Sequence, residues 1–149
     1  MIPEAHPGSE IVSTRDFAAP PETLFQAFSD PVRVAQWWGP SGFTTTVHEF
    51  DFRPGGAWRL TMHGPDGADY ENLARFVEVV RPERIVFQHE EPVHRFRMTM
   101  TFAPRGSGTT LTWRMRFETT EEVARIGGFV ATANEENFDR LAAHLNTST

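Results

Sequence analysis

The chain has 149 residues, 20 acidic against 14 basic side chains, a formal net charge of −6 at pH 7 and no cysteine. This length predicts one domain over residues 1–149, with a single core that buries most of the apolar surface. The basic residues alternate with apolar ones instead of clustering, so we expect no nucleic-acid partner. The absence of cysteine excludes disulfides and thiolate catalysis and favours a cytoplasmic location.

We expect no targeting signal at the amino terminus. Residues 1–9 are polar and contain Pro3, Pro7 and Gly8, a composition that predicts an extended or disordered tail and fits no signal peptide. No apolar run approaches membrane-spanning length, so we expect no membrane insertion.

A strand and two short helices are predicted in the first third of the chain. Residues 10–17 are rich in β-branched side chains and end before Pro20–Pro21, which is typical of an opening strand. A helix begins at these prolines, because a proline in the first helical turn loses no hydrogen bond. Asp30–Pro31 predicts the start of a second helix, which ends at Trp37.

Six further strands are predicted between residues 43 and 117. In this stretch the hydrophobic period is two, and turn signals separate the successive runs. The last two runs alternate apolar and polar residues most regularly, which predicts an antiparallel sheet that is covered on one face. In the first run this parity places His48, Phe50 and Phe52 on one face.

A long amphipathic helix is predicted at the carboxyl end. Thr119 and Glu122 form a capping box, and apolar residues then recur every three or four positions up to Leu145. At 1.5 Å per residue, this helix of about 25 residues would be about 40 Å long. Gly127–Gly128 and the polar run 134–137 interrupt its apolar stripe.

This order of elements predicts an α+β fold. A curved antiparallel sheet of about seven strands would wrap around the carboxyl-terminal helix. A sheet bent around one helix does not close on it everywhere. A void lined by long apolar side chains would stay dry and would accommodate an apolar ligand.

The candidate ligand-binding residues are those predicted to face the space between the sheet and the helix. They are Trp38, Phe43, Phe50, Trp58, Leu60, Met62, Tyr70, Phe76, Phe87, His89, Phe96, Met98, Met100, Trp113, Met115, Val130, Asn134 and Phe138. Ordinary core packing is the alternative for each of them. Tyr70, His89 and Asn134 are the candidates for orienting a polar group of the ligand.

The sequence contains no recognised catalytic or metal-binding motif. The histidines lack the short spacings of a local metal site, so we predict no metal and no cofactor. No nucleophile elbow, phosphate loop or carboxylate pair stands out. His48 and His89 as general bases, and Tyr70 as a hydrogen-bond donor, are weak catalytic candidates.

Five motifs occur in order along the chain: AAPPETLFQAF at 18–28, WWGPSGF at 37–43, DFRPGGAW at 51–58, PERIVF at 82–87 and FDRL at 138–141. Together they resemble the SRPBCC superfamily, and within it the branch named after the activator of the 90-kDa heat-shock protein ATPase. The resemblance implies the helix-grip fold of START lipid-transfer domains and the birch-pollen allergen, with a cavity between the sheet and the long helix. The chain departs from these relatives at 134–137, where they have small or apolar residues.

Three functions are compatible with these features. The first is the binding of a hydrophobic or aromatic small molecule in the cavity. The alternative is an enzyme that uses the same cavity, in the manner of a cyclase, hydratase or hydrolase acting on a polycyclic substrate. The third, a co-chaperone-like module that regulates an ATPase, rests on the family's name alone. The sequence fits a monomer and a homodimer alike.

Overall fold

The structure is a computed structural model that describes residues 9–91 and 95–147. Its elements, in chain order, are β1 Glu10–Phe17, α1 Pro21–Ser29, α2 Pro31–Trp37, β2 Thr44–Phe50, β3 Ala57–His63, β4 Asp69–Val80, β5 Arg84–Glu91, β6 Phe96–Arg105, β7 Gly108–Phe117 and α3 Thr120–Thr147. The strands form one antiparallel sheet in the order β1-β7-β6-β5-β4-β3-β2. The predicted α+β helix-grip fold is confirmed.

Both short helices begin where the sequence predicts, and α2 ends at Trp37 as predicted. The carboxylate of Asp30 accepts the backbone N–H of Val32 at 2.9 Å, and Pro31 occupies the first turn of α2. Trp37, at the end of α2, is fully buried, and its indole N–H donates to the carbonyl oxygen of Ala27 at 3.0 Å. This hydrogen bond ties α2 to α1.

These two helices fill one end of the space inside the sheet. The rings of Phe25 and Phe28 in α1 lie 5.2 and 5.0 Å from the ring of Phe102 in β6. Phe28 also meets Trp37 edge-on, at 4.7 Å between ring centres. Such offset ring pairs are favourable beyond the apolar area that they bury. The other end of the space, under α3, contains the cavity described below.

The pairing of β2 with β3 contains a β-bulge that the sequence pattern does not reveal. Val47 lies opposite Leu60, whereas Glu49 lies opposite Arg59, so His48 is the extra residue. A bulge changes the parity of the strand. The prediction that His48 shares the inner face is therefore wrong: its side chain is exposed, on the opposite side of the sheet.

The long helix α3 is held at both ends of its contact with the sheet. The Thr119 hydroxyl accepts the backbone N–H of Glu122 at 3.1 Å, as the predicted cap requires. Further along, Arg15 of β1 pairs with Asp139 at 2.6 Å and with Glu135 at 2.8 Å. Exposed ion pairs of this kind add little stability, so their main effect is to fix the position of α3 along β1.

Two further predictions concern the ends of the chain and membranes. Residues 1–8 of the predicted tail lie outside the described residues, whereas Ser9 is buried and its carbonyl oxygen accepts the N–H of Phe117 at 2.9 Å. Within the described ranges, the structure has no helix whose length and apolar character would let it cross a membrane.

Side chains of α3 bind the loop that follows α2. The amide nitrogen of Asn137 donates to the carbonyl oxygen of Trp37 at 2.9 Å. The guanidinium of Arg140 donates to four more backbone carbonyls, at distances of 3.1 to 3.3 Å: those of Gln36, Trp38, Gly39 and Pro40. The end of a helix leaves carbonyl groups without intrahelical partners, and α3 supplies donors to five of them in and after the last turn of α2.

The environment of Arg140 makes these bonds strong. Burial lowers the pKa of its guanidinium from the ordinary arginine value, but an arginine remains protonated at neutral pH. In the described part of the chain no carboxylate pairs with it. Its charge is therefore directed at the carbonyl dipoles of the loop.

We predict that Arg140→Met lowers the free energy of unfolding by about 2 to 4 kcal/mol, because several carbonyls lose a charged donor. Arg125→Met is the matched control, since Arg125 is an exposed arginine on the same helix, and it should change stability by less than about 0.5 kcal/mol. Urea unfolding followed by circular dichroism measures both values. Equal effects for the two variants would contradict the role assigned to Arg140.

We also predict that Gly128→Ala stabilises the protein by about 1 kcal/mol, because glycine inside a helix is less favourable than alanine and an added Cβ would meet no atom within 4 Å. Gly56→Ala is the contrasting variant, since a Cβ there would overlap the backbone oxygen of Asp51, and it should destabilise. Thermal melting of both variants tests this pair; a lower melting temperature for Gly128→Ala would refute it.

Candidate functional site

A cavity of about 490 Å³ lies between the inner face of β3–β7 and α3, next to the loop that follows α2. Most of its wall is apolar. The residues that line it are Trp38, Gly39, Pro40, Phe43, Trp58, Leu60, Met62, Tyr70, Asn72, Ala74, Phe87, His89, Phe96, Met98, Trp113, Met115, Phe129, Ala133, Asn134 and Asn137.

Most of the candidate residues chosen from the sequence lie in this wall. They are Trp38, Phe43, Trp58, Leu60, Met62, Tyr70, Phe87, His89, Phe96, Met98, Trp113, Met115 and Asn134. The parity of the strands brings them together, because alternate residues of an antiparallel sheet share one face. That they bind a ligand stays a prediction.

Five residues that the sequence predicts in the cavity wall do not line it: Phe50, Phe76, Met100, Val130 and Phe138. Phe76 stacks on Trp58, at 5.7 Å between ring centres. Phe138 is fully buried, 4.7 Å from Trp113. Each of these aromatic rings forms a second layer behind a residue that does line the cavity. Facing inward is necessary for lining the cavity but not sufficient.

The remaining three belong to the packed core as well. Phe50 stacks on Phe52, at 5.3 Å between ring centres. Met100 is buried in the core, and Val130 on α3 packs against the core with part of its surface still accessible.

Sequence reasoning missed several lining residues: Asn72, Ala74, Phe129, Ala133 and Asn137. The signal for the first two was present, because they continue the alternation that Tyr70 begins on β4. The signal for Asn137 was present too, since a residue three positions after Asn134 lies on the same face of a helix. Phe129 gave no signal: it is 77% exposed and lies off the predicted apolar stripe.

Trp38 is the centre of the aromatic wall. Its ring lies 4.9 Å from that of Trp58 and 5.4 Å from that of Trp113. The indole nitrogens of Trp58 and Trp113 are buried and have no hydrogen-bond partner within residues 9–91 and 95–147. Both rings meet neighbouring aromatic rings edge-on. These two N–H groups are therefore enclosed by the wall and do not face the cavity space.

The cavity reaches the surface between the sheet and the first half of α3. Tyr70 on β4 is 43% exposed and packs at 6.0 Å from the ring of Phe43. Phe129 lies in the wall on the helix side and is largely exposed. Exposed aromatic residues at an opening offer apolar contact to a molecule that enters.

His89 and Asn72 form the polar part of the sheet side. Nε2 of His89 lies 2.7 Å from Oδ1 of Asn72, and Nδ2 of Asn72 donates to the backbone oxygen of Tyr70 at 3.0 Å. Because the amide nitrogen faces a carbonyl, Oδ1 must accept, and Nε2 of His89 carries a hydrogen. At this nitrogen His89 is a donor and not a general base.

The other catalytic and metal candidates do not gather at the cavity. His48 lies on the outer face, with Nε2 2.7 Å from the hydroxyl oxygen of Thr61. Of the three weak catalytic candidates, only His89 and Tyr70 line the cavity. Over residues 9–91 and 95–147 no group of three metal-ligating side chains is placed to hold an ion.

Two asparagines form the polar part of the helix side. Asn134 is 7% exposed, and its amide nitrogen donates to Oγ of Ser13 at 3.1 Å and contacts Sδ of Met115 at 3.4 Å. Asn137 is 5% exposed and binds the carbonyl oxygen of Trp37. The departure of the sequence at 134–137 thus gives α3 two buried amides in the cavity wall.

Solved bacterial structures share this fold along almost the whole chain. A protein from Nitrosomonas europaea has 18% identity, with 99% of this chain and 100% of that chain covered and a TM-score of 0.87. A Rhodobacter sphaeroides protein has 24% identity, coverage of 100% and 99% and a TM-score of 0.86. A Chromobacterium violaceum protein has 26% identity, coverage of 94% and 99% and a TM-score of 0.79.

The family of this chain is shown by a comparison of its sequence with family profiles. Among curated proteins, none is significantly similar to the chain. The sequence profile of the family described as activator of Hsp90 ATPase homolog 1-like protein matches residues 18–146. This match confirms the resemblance carried by the five motifs, and the fold is one typical of ligand-binding domains. The chain belongs to the activator of Hsp90 ATPase homolog 1-like family, within the SRPBCC superfamily.

Proposed function

We propose that this protein binds a hydrophobic or aromatic small molecule in the cavity between the sheet and α3. The observation that carries the proposal is a space of about 490 Å³ with a mostly apolar and aromatic wall. Small-molecule sites in proteins have volumes of about 300 to 1,000 Å³ and walls of this composition. At roughly 20 to 30 Å³ per atom, the space suits a ligand of about 15 to 25 non-hydrogen atoms.

The wall supports binding by two kinds of side chain. Trp38 and Phe87 present rigid aromatic surface, which gains contact area at a low cost in conformational entropy. Met62, Met98 and Met115 are flexible and polarisable, and methionines adapt to ligands of different shape. The combination favours a flat, ring-containing ligand and tolerates variation at its edges.

The expected affinity follows from the size of the ligand. At about 0.3 kcal/mol per non-hydrogen atom, a ligand of about 20 atoms gains about 6 kcal/mol. This free energy corresponds to a Kd of tens of micromolar. Tighter binding would require hydrogen bonds with the polar groups of the wall.

We predict that N-phenyl-1-naphthylamine binds with a Kd of about 200 μM or tighter, because it is neutral and aromatic and fits the expected size. Its fluorescence rises in apolar surroundings, so a titration gives the Kd. Ala133→Phe should weaken binding at least about tenfold, since Ala133 lines the cavity and the added ring would fill it.

Ala143→Phe is the matched control for this test. Ala143 is exposed on α3 and does not line the cavity, so the variant should bind the probe like the wild type. Circular dichroism establishes that both variants are folded. The proposal is wrong if the wild type does not bind the probe, or if Ala133→Phe and Ala143→Phe bind it equally well.

A further inference from the structure

The orientation of Asn137 is fixed by a group that can only accept. Its Nδ2 lies 2.9 Å from the backbone oxygen of Trp37, and a carbonyl oxygen cannot donate a hydrogen bond. The nitrogen must therefore be the atom at this contact. Oδ1 of Asn137 is the other branch of the same amide, and it acts as an acceptor only.

Asn134 is oriented in the same sense. Its Nδ2 lies 3.1 Å from Oγ of Ser13, a hydroxyl that can both donate and accept, and 3.4 Å from Sδ of Met115, which can only accept. Reversing the amide would place an oxygen against the thioether sulfur, which has no hydrogen to donate. Oδ1 of Asn134 is thus also left as an acceptor.

Neither oxygen has a hydrogen-bond donor among the described residues. Among the described residues, two side-chain polar atoms are both fully buried and without a partner, the indole nitrogens of Trp58 and Trp113. The two amide oxygens have no partner and are not among these atoms, so they are not fully buried. Both asparagines are more than nine-tenths buried and line the cavity. Both oxygens therefore keep accessible surface on residues that line the cavity.

We infer that the occupant of the cavity is an uncharged ring compound with a hydroxyl or N–H hydrogen-bond donor, such as a phenol, that donates to Oδ1 of Asn134 or Asn137. This inference rests on the proposed function and adds the chemical class of the ligand. An acceptor that faces an apolar space is a costly group to leave unpaired, and an occupant with a donor removes that cost.

The same wall disfavours an anionic ligand. None of the lining residues is a lysine or an arginine, so a carboxylate would lose its hydration without gaining an ion pair. The nearby guanidinium of Arg140 is already engaged by four backbone carbonyls. A carboxylate would also meet the lone pairs of the two amide oxygens, which repel it.

Binding of three naphthalenes, measured by isothermal titration calorimetry at pH 7, tests the inference. The wild type should bind 2-naphthol at least about fivefold more tightly than 2-methoxynaphthalene, which keeps the ring and the oxygen but has no donor. It should bind 2-naphthoate most weakly of the three. Equal affinities for 2-naphthol and 2-methoxynaphthalene would overturn the inference and leave the proposed function intact, whereas no binding of any compound would overturn both.

Substitutions of the two asparagines test whether they cause the preference for 2-naphthol over 2-methoxynaphthalene. Asn134→Leu and Asn137→Leu should each reduce the ratio of the two affinities, and at least one of them should bring it below about twofold. Asn146→Leu is the matched control, because Asn146 is an exposed asparagine of the same helix that does not line the cavity, and it should keep the preference. If Asn137→Leu does not fold, because Trp37 loses a partner, Asn134→Leu decides the question. A full preference in every folded variant overturns the assignment.

Discussion

Arg140 and Asn137 donate hydrogen bonds to successive carbonyl oxygens at the end of α2 and in the loop after it, and the geometry of the cavity depends on this contact. The loop carries Trp38, whose ring meets Trp58 and Trp113 on the sheet. The hydroxyl of Thr45 also donates to the carbonyl oxygen of Trp38 at 2.8 Å, and the N–H of Phe43 donates to that of Pro40 at 3.2 Å, so α3 adds to the hydrogen bonds that hold this loop. One helix face therefore both covers the sheet and holds the aromatic wall in place.

The division of the interior into a packed end and an open end has a simple cause. α1 and α2 bring large rings against β6, and Trp37 completes that layer. Over the cavity the cover is α3 together with the loop that follows α2, and these do not fill the concave face of the curved sheet. An unfilled space costs stability. A protein that retains such a space gives up stability for a site that can accept another molecule.

Local sequence signals predicted the elements but only part of the site. Asp30–Pro31 predicted the start of α2 because capping involves neighbouring residues, and regular alternation predicted the faces of β6 and β7. His48 was placed on the wrong face because a bulge arises from pairing with another strand, which leaves no mark in the strand itself. Phe76 and Phe138 show a second limit: periodicity predicts the side on which a residue lies, but not its depth behind other rings.

The tryptophans of this chain are concentrated at its cavity. Trp38, Trp58 and Trp113 line it, and the ring of Trp37, the fourth of the four, lies 5.5 Å from that of Trp38. Since indole emission responds to the polarity and the contacts of the ring, three of the four indole fluorophores of this protein belong to the walls of its cavity. The chain thus carries its own optical reporter of whether that space contains water or another molecule.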